Sequence, residues 1–424
     1  MFVKSGYSMI IKNEIKIPFL LLVFRILDYF WPKKNNYWAF PCHLIERGKF
    51  MGNTRGVFEF VKNNISIKKI IFTISDEIDL NIDNYENTEI VNMFSAKGLM
   101  LLLQSGVVLC DHTVFMNFSE RWNHNVIKMN LKKRIIVNLW HGIPLKKIQH
   151  LSPSEIGENV SEIKKERSFY TGLIASSSID SYAMGACFYP IKPQNIWITG
   201  LPRNDYLVKA LELLSQNYKT QSDKILQIKG DKKLIIYAPT YKEVAVSGSV
   251  YYQFSDDEIK KMVNFLKRNN AVLGVRLHYY RNSSELCNIE KFIDNEYIFD
   301  LGQSVIDEAG LVVRFSDIFI TDYSSLFLDA LYVNKPVFSF AYDKKHYEEK
   351  QRGLLYDMGT VFPGPILSKF EDILNSVEDE LKKNIQINTV QYKLARQLFY
   401  EHIDGDNSER VVELIRYHTN ICQR

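Results

Sequence analysis

Short apolar runs recur along the chain with helix-prone stretches between them, and this rhythm constrains the fold more than any other feature. Seven lie in the first half, at Tyr37–Phe40, Lys69–Ile74, Glu89–Phe94, Val107–Cys110, Arg134–Leu139, Leu173–Ser176 and Ile196–Thr199. Five more follow, at Leu234–Tyr237, Val272–Leu277, Tyr297–Asp300, Ile318–Thr321 and Val337–Phe340. Many are apolar throughout, as a parallel strand covered by helices on both faces requires. Strand alternating with helix predicts an α/β fold, doubly wound. A polar, helix-prone stretch over 209–232, with Gly230-Asp231 near its end, separates the two series. The expected organisation is an N-terminal segment over 1–34, one α/β domain over 35–225 and a second over 226–424. The helical stretch from about Ser368 is expected to pack back across both domains. Two such domains leave a crevice, and ligands of these folds sit in loops at the carboxyl ends of the strands.

Composition removes several function classes. Hydrophobic residues make up 46% and charged residues 24%, which excludes wholesale disorder. Lys plus Arg (53) against Asp plus Glu (49) leaves +4, too little for a nucleic-acid coat. The cysteines, Cys42, Cys110, Cys187, Cys287 and Cys422, are odd in number and form no C-x-x-C pair. A disulfide framework or zinc ribbon is therefore not expected, and a reducing compartment is. The most apolar stretch, Pro18–Trp31, runs about 14 residues against the roughly 20 of a spanning helix, and Arg25 and Asp28 interrupt it. No small-residue cleavage site follows it. Three readings stay open: a helix packed on the domain or on another subunit, an interfacial helix, or a true span. Lys4, Lys12, Lys16, Lys33 and Lys34 flank the run, and Tyr29, Phe30 and Trp31 suit a headgroup boundary.

The chemically capable residues gather at strand ends. RIIVNL runs into Trp140-His141-Gly142-Ile143-Pro144, where Gly and Pro fix a tight loop and His141 faces the crevice. An imidazole titrates near neutrality and is able to take a proton from a hydroxyl; a satisfied structural histidine is the plainer reading. IWIT leads to Gly200-Leu201-Pro202-Arg203-Asn204-Asp205, whose guanidinium suits a phosphate clamp or, more plainly, a capped turn with a surface arginine. LIIY leads to Ala238-Pro239-Thr240-Tyr241-Lys242. VLGVRL carries Arg276 and His278, two apart on a strand and so on one face, expected to reach solvent. Thr321-Asp322-Tyr323-Ser324-Ser325 reads as strand, turn and helix start, where free amides and the helix dipole favour an anion or where a serine simply caps. Asp329 lies one turn on, on the face of Ser325. No P-loop, G-x-S-x-G, H-E-x-x-H or strand-end D-x-D accompanies them. The pattern is that of a phosphate-binding crevice with a histidine base and no metal centre.

Together these elements resemble the CDP-glycerol glycerophosphotransferase family, the teichoic-acid primases and polymerases and their relatives in capsule synthesis, over roughly Tyr37 to Arg410. The resemblance rests on W-H-G-I-P-L-K-K at 140–147, G-L-P-R-N-D at 200–205, Y-A-P-T at 237–240, R-L-H at 276–278 and T-D-Y-S-S at 321–325 with Asp329. K-P-V at 335–337, A-Y-D at 341–343, R-G at 352–353, P-G-P at 363–365 and D-G at 404–405 continue it. It implies a GT-B-like architecture, two Rossmann-like doubly wound domains facing a central cleft, with the acceptor on the N-terminal side and a CDP-polyol donor on the C-terminal one. Pro239, Thr240, Arg276, His278, Ser324, Ser325 and Asp329 match donor-binding positions, and Trp140, Gly142, Pro144 and Arg203 contribute from the first domain. His141 matches the histidine usually proposed as base; His278 is the second catalytic candidate, as a charged hydrogen-bond donor. Ile143, Leu201 and Tyr241-Lys242 depart from the family's commoner residues, and the chain looks short of an extra N-terminal domain that many of its polymerases carry.

The reaction so implied is in-line transfer of glycerol phosphate, or another polyol phosphate, with release of CMP, and without a metal ion or other cofactor. The acceptor is expected to be a lipid-linked or growing polysaccharide at the cytoplasmic face of the membrane. The protein would be held there peripherally by its N-terminal segment, with a homo-oligomer left open. Two rivals remain at this point: a GT-B glycosyltransferase using a sugar nucleotide, and a non-catalytic membrane-associated scaffold.

Overall fold

The computed structural model describes residues 3–43, 48–75, 80, 82–120, 124–153, 160–240, 251–277, 288–350, 353–383 and 389–421. Each expected run becomes a strand. The first series forms β1 (Lys34–Pro41), β2 (Lys68–Thr73), β3 (Thr88–Asn92), β4 (Ser105–Cys110), β5 (Ile135–Asn138), β6 (Gly172–Ala175) and β7 (Ile196–Ile198). The second forms β8 (Lys233–Tyr237), β9 (Ala271–Val275), β10 (Ile298–Asp300), β11 (Ile318–Thr321) and β12 (Val337–Phe340). A further strand, β13 (Ile366–Leu367), is two residues long, too short to show a period in the sequence.

The sheets run β3-β2-β1-β4-β5-β6-β7 and β10-β9-β8-β11-β12-β13, with parallel pairing throughout. Every residue of β4, β5, β6, β9, β11 and β12 is buried, which is why these strands read as unbroken apolar runs. Each such aliphatic side chain contributes about 1.5–3 kcal/mol by leaving water. The covering helices show the complementary period. Asp256–Arg268 buries Ile259, Met262, Phe265 and Leu266 on one face and begins at a capping box between Ser255 and Glu258. Strand order reverses between β1 and β4 in one sheet and between β8 and β11 in the other. Chain leaves such a point to opposite sides, so the carboxyl-end loops part and open a crevice there.

The helix Gln216–Lys229 runs unbroken through Ile225, which is fully buried. The C-terminal helix Asn407–Ile421 returns to the first sheet. Asp205 receives its first amides, Asn407 N–H and Ser408 N–H, both at 2.9 Å, and His418 stacks on Trp197 at 5.4 Å. Gly200 is required at this junction. Its φ is +76°, and a Cβ there would sit 1.9 Å from Asn407 Oδ1.

The N-terminal helix, Val3–Phe30, is longer than the apolar run inside it. Phe24 and Asp28 are buried against the first domain, with Ile17, Leu20 and Leu21 packed beside them. Asp28 is the anchor: it accepts Arg134 Nη1 at 2.8 Å and Nη2 at 2.5 Å, Lys33 Nζ at 2.6 Å and Asn130 N–H at 2.6 Å. Phe19, Leu22, Ile26, Tyr29 and Phe30 form an exposed stripe on the outer side. No described helix is long and apolar enough to cross a membrane.

Candidate active site

The first sheet delivers three histidines to its switch point. β1 ends into Cys42-His43, β4 into Asp111-His112 and, beside it, β5 into Leu139-Trp140-His141. Trp140 holds φ at +43°, a strained value for a bulky residue, and is buried against Phe188. It lies under His141, with ring centroids 4.0 Å apart, instead of lining the open cleft as expected of a donor contact. Its conformation turns His141 outward, and that residue is exposed. His141 Nδ1 lies 3.3 Å from the Asp111 carbonyl oxygen. A carbonyl only accepts, so Nδ1 carries the proton and Nε2 keeps its lone pair. Crowding by the surrounding protein, and then the His112 ring, push the His141 pKa below the usual imidazole range. Water at its open edge relieves part of that crowding without changing the direction.

Asn53 ties this loop to the next. Its Nδ2 donates to the carbonyls of Leu139 (2.8 Å) and Trp140 (3.0 Å), and its Oδ1 accepts Arg203 N–H at 3.0 Å. A Cβ on Gly142 would meet Arg203 Nη2 at 3.4 Å, an ordinary van der Waals contact, so the two loops lie against each other here. Arg203 then reaches across to the second domain, where Nη2 meets Asp329 Oδ2 at 2.9 Å. Burial opposes both charges. Burial also pushes the Asp329 carboxyl up while the guanidinium pulls it back, and Arg203 itself is held above its usual value. The two shifts disagree about the carboxyl; the 2.9 Å contact and the guanidinium's permanent charge favour an ionic pair at neutral pH. Asp329 therefore faces Arg203, where a donor contact was expected of both. Pro144 is buried behind the loop, and the following residues clip onto the second domain: Lys147 N–H to Gly353 O at 3.1 Å and Leu355 N–H to Leu145 O at 2.7 Å.

On the opposite wall, Asp322 joins the loops after β8 and β11, with Oδ1 accepting Thr240 N–H at 2.8 Å and Tyr323 N–H at 2.6 Å. Pro239 and Thr240 are buried beside it, and Thr240 Oγ1 has no hydrogen-bond partner among the described atoms. Ser324 Oγ accepts Leu326 N–H at 3.3 Å at the start of the helix Leu326–Tyr332, leaving Ser325 exposed. The expected strand, turn and helix are thus present, and Asp329, on that same helix, links the turn through Arg203 to the His141 loop.

Arg276 differs from expectation. β9 stops at Val275, and the guanidinium is buried, with Nη1 on the carbonyls of Leu301 (2.7 Å) and Ile306 (2.9 Å) and Nη2 on that of Asp307 (3.2 Å). Burial pushes its pKa down to about 10, so it stays charged at neutrality. It braces the loop whose Asp307 pairs with Lys49 of the first domain at 2.5 Å, and is not an open phosphate contact. His278 lies outside the described residues, as do Tyr241 and Lys242. Sequence reasoning missed His43, Asn53, Asp111 and His112; the first, third and fourth follow strand ends, the signal that singled out His141. Among the described residues, no three His, Cys, Asp or Glu side chains converge as a metal site would require.

A family model described as CDP-Glycerol:Poly(glycerophosphate) glycerophosphotransferase matches residues 27–417. The chain belongs to this family. It is 27% identical to a teichoic acid poly(glycerol phosphate) polymerase of Bacillus spizizenii, over 92% of this chain and 94% of that one. It is also 27% identical to a teichoic acid poly(ribitol-phosphate) polymerase of the same organism, over 67% of this chain and 43% of that one. The wall teichoic acid polymerase TagF (H444N variant) superposes with a TM-score of 0.71 at 19% identity, covering 92% of this chain and 91% of that one, a likeness of fold. The GT-B-like architecture of two Rossmann-like domains is thus borne out, and the protein is a transferase of the glycerophosphotransferase type. Two departures from the family's commoner residues, Ile143 and Leu201, are both buried in the core, so they alter packing and leave the open cleft alone.

Proposed function

We propose that this transferase moves glycerol phosphate, or another polyol phosphate, from a CDP-activated donor to a hydroxyl of a lipid-linked or growing cell-surface polymer, teichoic acid or capsule, with His141 as base. The observation that carries the reading is the setting of His141: solvent-reachable, with Nδ1 at the Asp111 carbonyl and Nε2 without a hydrogen-bond partner among the described residues. The acceptor oxygen attacks the donor's β-phosphorus and its proton passes to Nε2. The bond from that phosphorus to the bridging oxygen breaks, and CMP leaves with the electron pair. Negative charge on the diphosphate is met by the lysines of the Trp140–Lys147 loop and by the Ser324–Ser325 turn. That supply of charge calls for no metal, and transfer is expected to persist in a chelator.

The exposed stripe on the N-terminal helix, with Lys34 and Lys133 beside it, supports peripheral attachment at the cytoplasmic face of the membrane. Purified protein incubated with CDP-glycerol, CDP-ribitol, UDP-sugars and a short acceptor, with products weighed by mass spectrometry, tests the chemistry. CMP release with an acceptor one polyol phosphate heavier is expected. UDP release with a hexose added would instead make it a glycosyltransferase.

A further inference from the structure

His141 does not stand alone. β4 and β5 pair in register with Cys110 opposite Asn138, so the segments that leave them run side by side. Asn138 locks the two together: its side chain donates to the His112 carbonyl and accepts Trp140 N–H at 2.9 Å. Asn117 holds the other flank, with Oδ1 accepting the amides of Asp111 (3.2 Å) and His112 (3.1 Å) and Nδ2 donating to Asp111 Oδ1 at 2.7 Å. That same carboxylate oxygen takes His112 Nδ1–H at 3.0 Å. The fixed His112 ring lies flat against His141, with centroids 4.6 Å apart and planes 23° from parallel.

So much fixation converging on one exposed residue is more than a turn requires. We propose that Asp111 and His112 are positioning residues for this reaction: Asp111 locks His112, and His112 is the platform that aims His141 at the acceptor hydroxyl. This rests on His141 being the base. Asp111 is buried, and burial alone would raise its carboxyl; the imidazoles of His112 and His43 and the Asn117 amide outweigh that and hold it well below the ordinary carboxylate range. A carboxylate kept ionised next to His112 explains how that ring is held. The groups facing His141 are His112 and Asp111 from the loop after β4, His43 with Lys49 behind it from the loop after β1, and Arg203 with Asp329 on the Gly142 side. Of these, the His112 ring is the one stacked on His141, and after burial its interaction is the next to favour the neutral form of His141.

The test uses the full chain carrying His112→Ala or His112→Phe, each made alone and with Asp111→Asn, which removes the buried charge that loss of the imidazole would strand. Thermal melts establish that each variant is folded. Loss of the platform in His112→Ala is expected to lower kcat by about 10-fold or more, with KM for CDP-glycerol within about 3-fold. His112→Phe restores a flat ring and is expected to recover most of kcat. In both, the acid limb of the kcat/KM profile moves to higher pH by about half a unit to one unit, because the base loses a neighbour that kept it unprotonated. Adding Asp111→Asn to either is expected to change little more, since Asp111 acts through His112. Wild-type kcat and an unmoved acid limb in the His112 variants would overturn the proposal, as would Phe proving no better than Ala. His141→Ala run in parallel separates the failures: turnover surviving there removes the base itself, whereas an inactive His141→Ala beside unaffected His112 variants removes the platform alone.

Discussion

At the scale of single residues, the cleft is held by contacts that cross it. Arg203 and Asp329 are the clearest pair, because the carboxylate is buried, the guanidinium is largely covered and the two come from different domains. Asp329→Asn leaves a guanidinium enclosed without its counter-charge, and such a loss costs about 3 kcal/mol. Denaturant unfolding should register it; a change below about 1 kcal/mol would mean that the pair does not hold the domains. Residue roles were the least legible part of the sequence. Arg276 looked like an open phosphate contact because arginine on a strand end is expensive to bury. Its burial depends on three carbonyls supplied by the loop Leu301–Asp307, and no spacing in the sequence announces where a loop will aim its carbonyls. Trp140 misled in a similar way, since only its positive φ, +43°, shows that it lies beneath its neighbour. His112 was legible in principle, one residue beyond the same kind of strand end as His141.

At the scale of elements, the N-terminal helix is fastened at one point and open along its length. Burial would raise the Asp28 carboxyl, but Arg134, Asn130 and Lys33 together bring it below its ordinary value of 3.8. A group depressed on folding stabilises the fold fully above its unfolded value and loses that contribution as pH falls through the folded one. The helix is therefore expected to stay docked through neutral pH and to release only below about pH 4. Asp28→Asn should release it at neutrality, read as proteolytic cleavage within the first thirty residues; a helix equally protected in the variant would contradict this anchor. The outer stripe makes a separate prediction. Leu22→Asp with Ile26→Asp, both on exposed positions, should leave the melt unchanged and weaken flotation with anionic vesicles by about 10-fold or more. Unchanged flotation would remove the helix from the membrane contact, and loss of a dimer in its place would assign the stripe to a second copy.

At the scale of the molecule, the two sheets were the most legible feature. A parallel strand buried on both faces writes itself as an apolar run, and β4, β5, β11 and β12 are buried throughout. Strand β13 escaped because two residues carry no period. The C-terminal helix joins the sheets into one body by burying Val411, Val412 and Ile415 at the first domain. Truncation before Asn407 is expected to unfold that domain first, as a separate earlier transition in calorimetry; a single unshifted transition would contradict it. That rigid frame brings a neutral imidazole to the mouth of a cleft, which is the centre of the account. The most direct measurement is His141→Ala assayed for CMP release with acceptor while CDP-glycerol binding is followed by calorimetry. The account expects transfer to fall by at least about a thousandfold with binding within a few-fold, and transfer continuing at near the wild-type rate would contradict it.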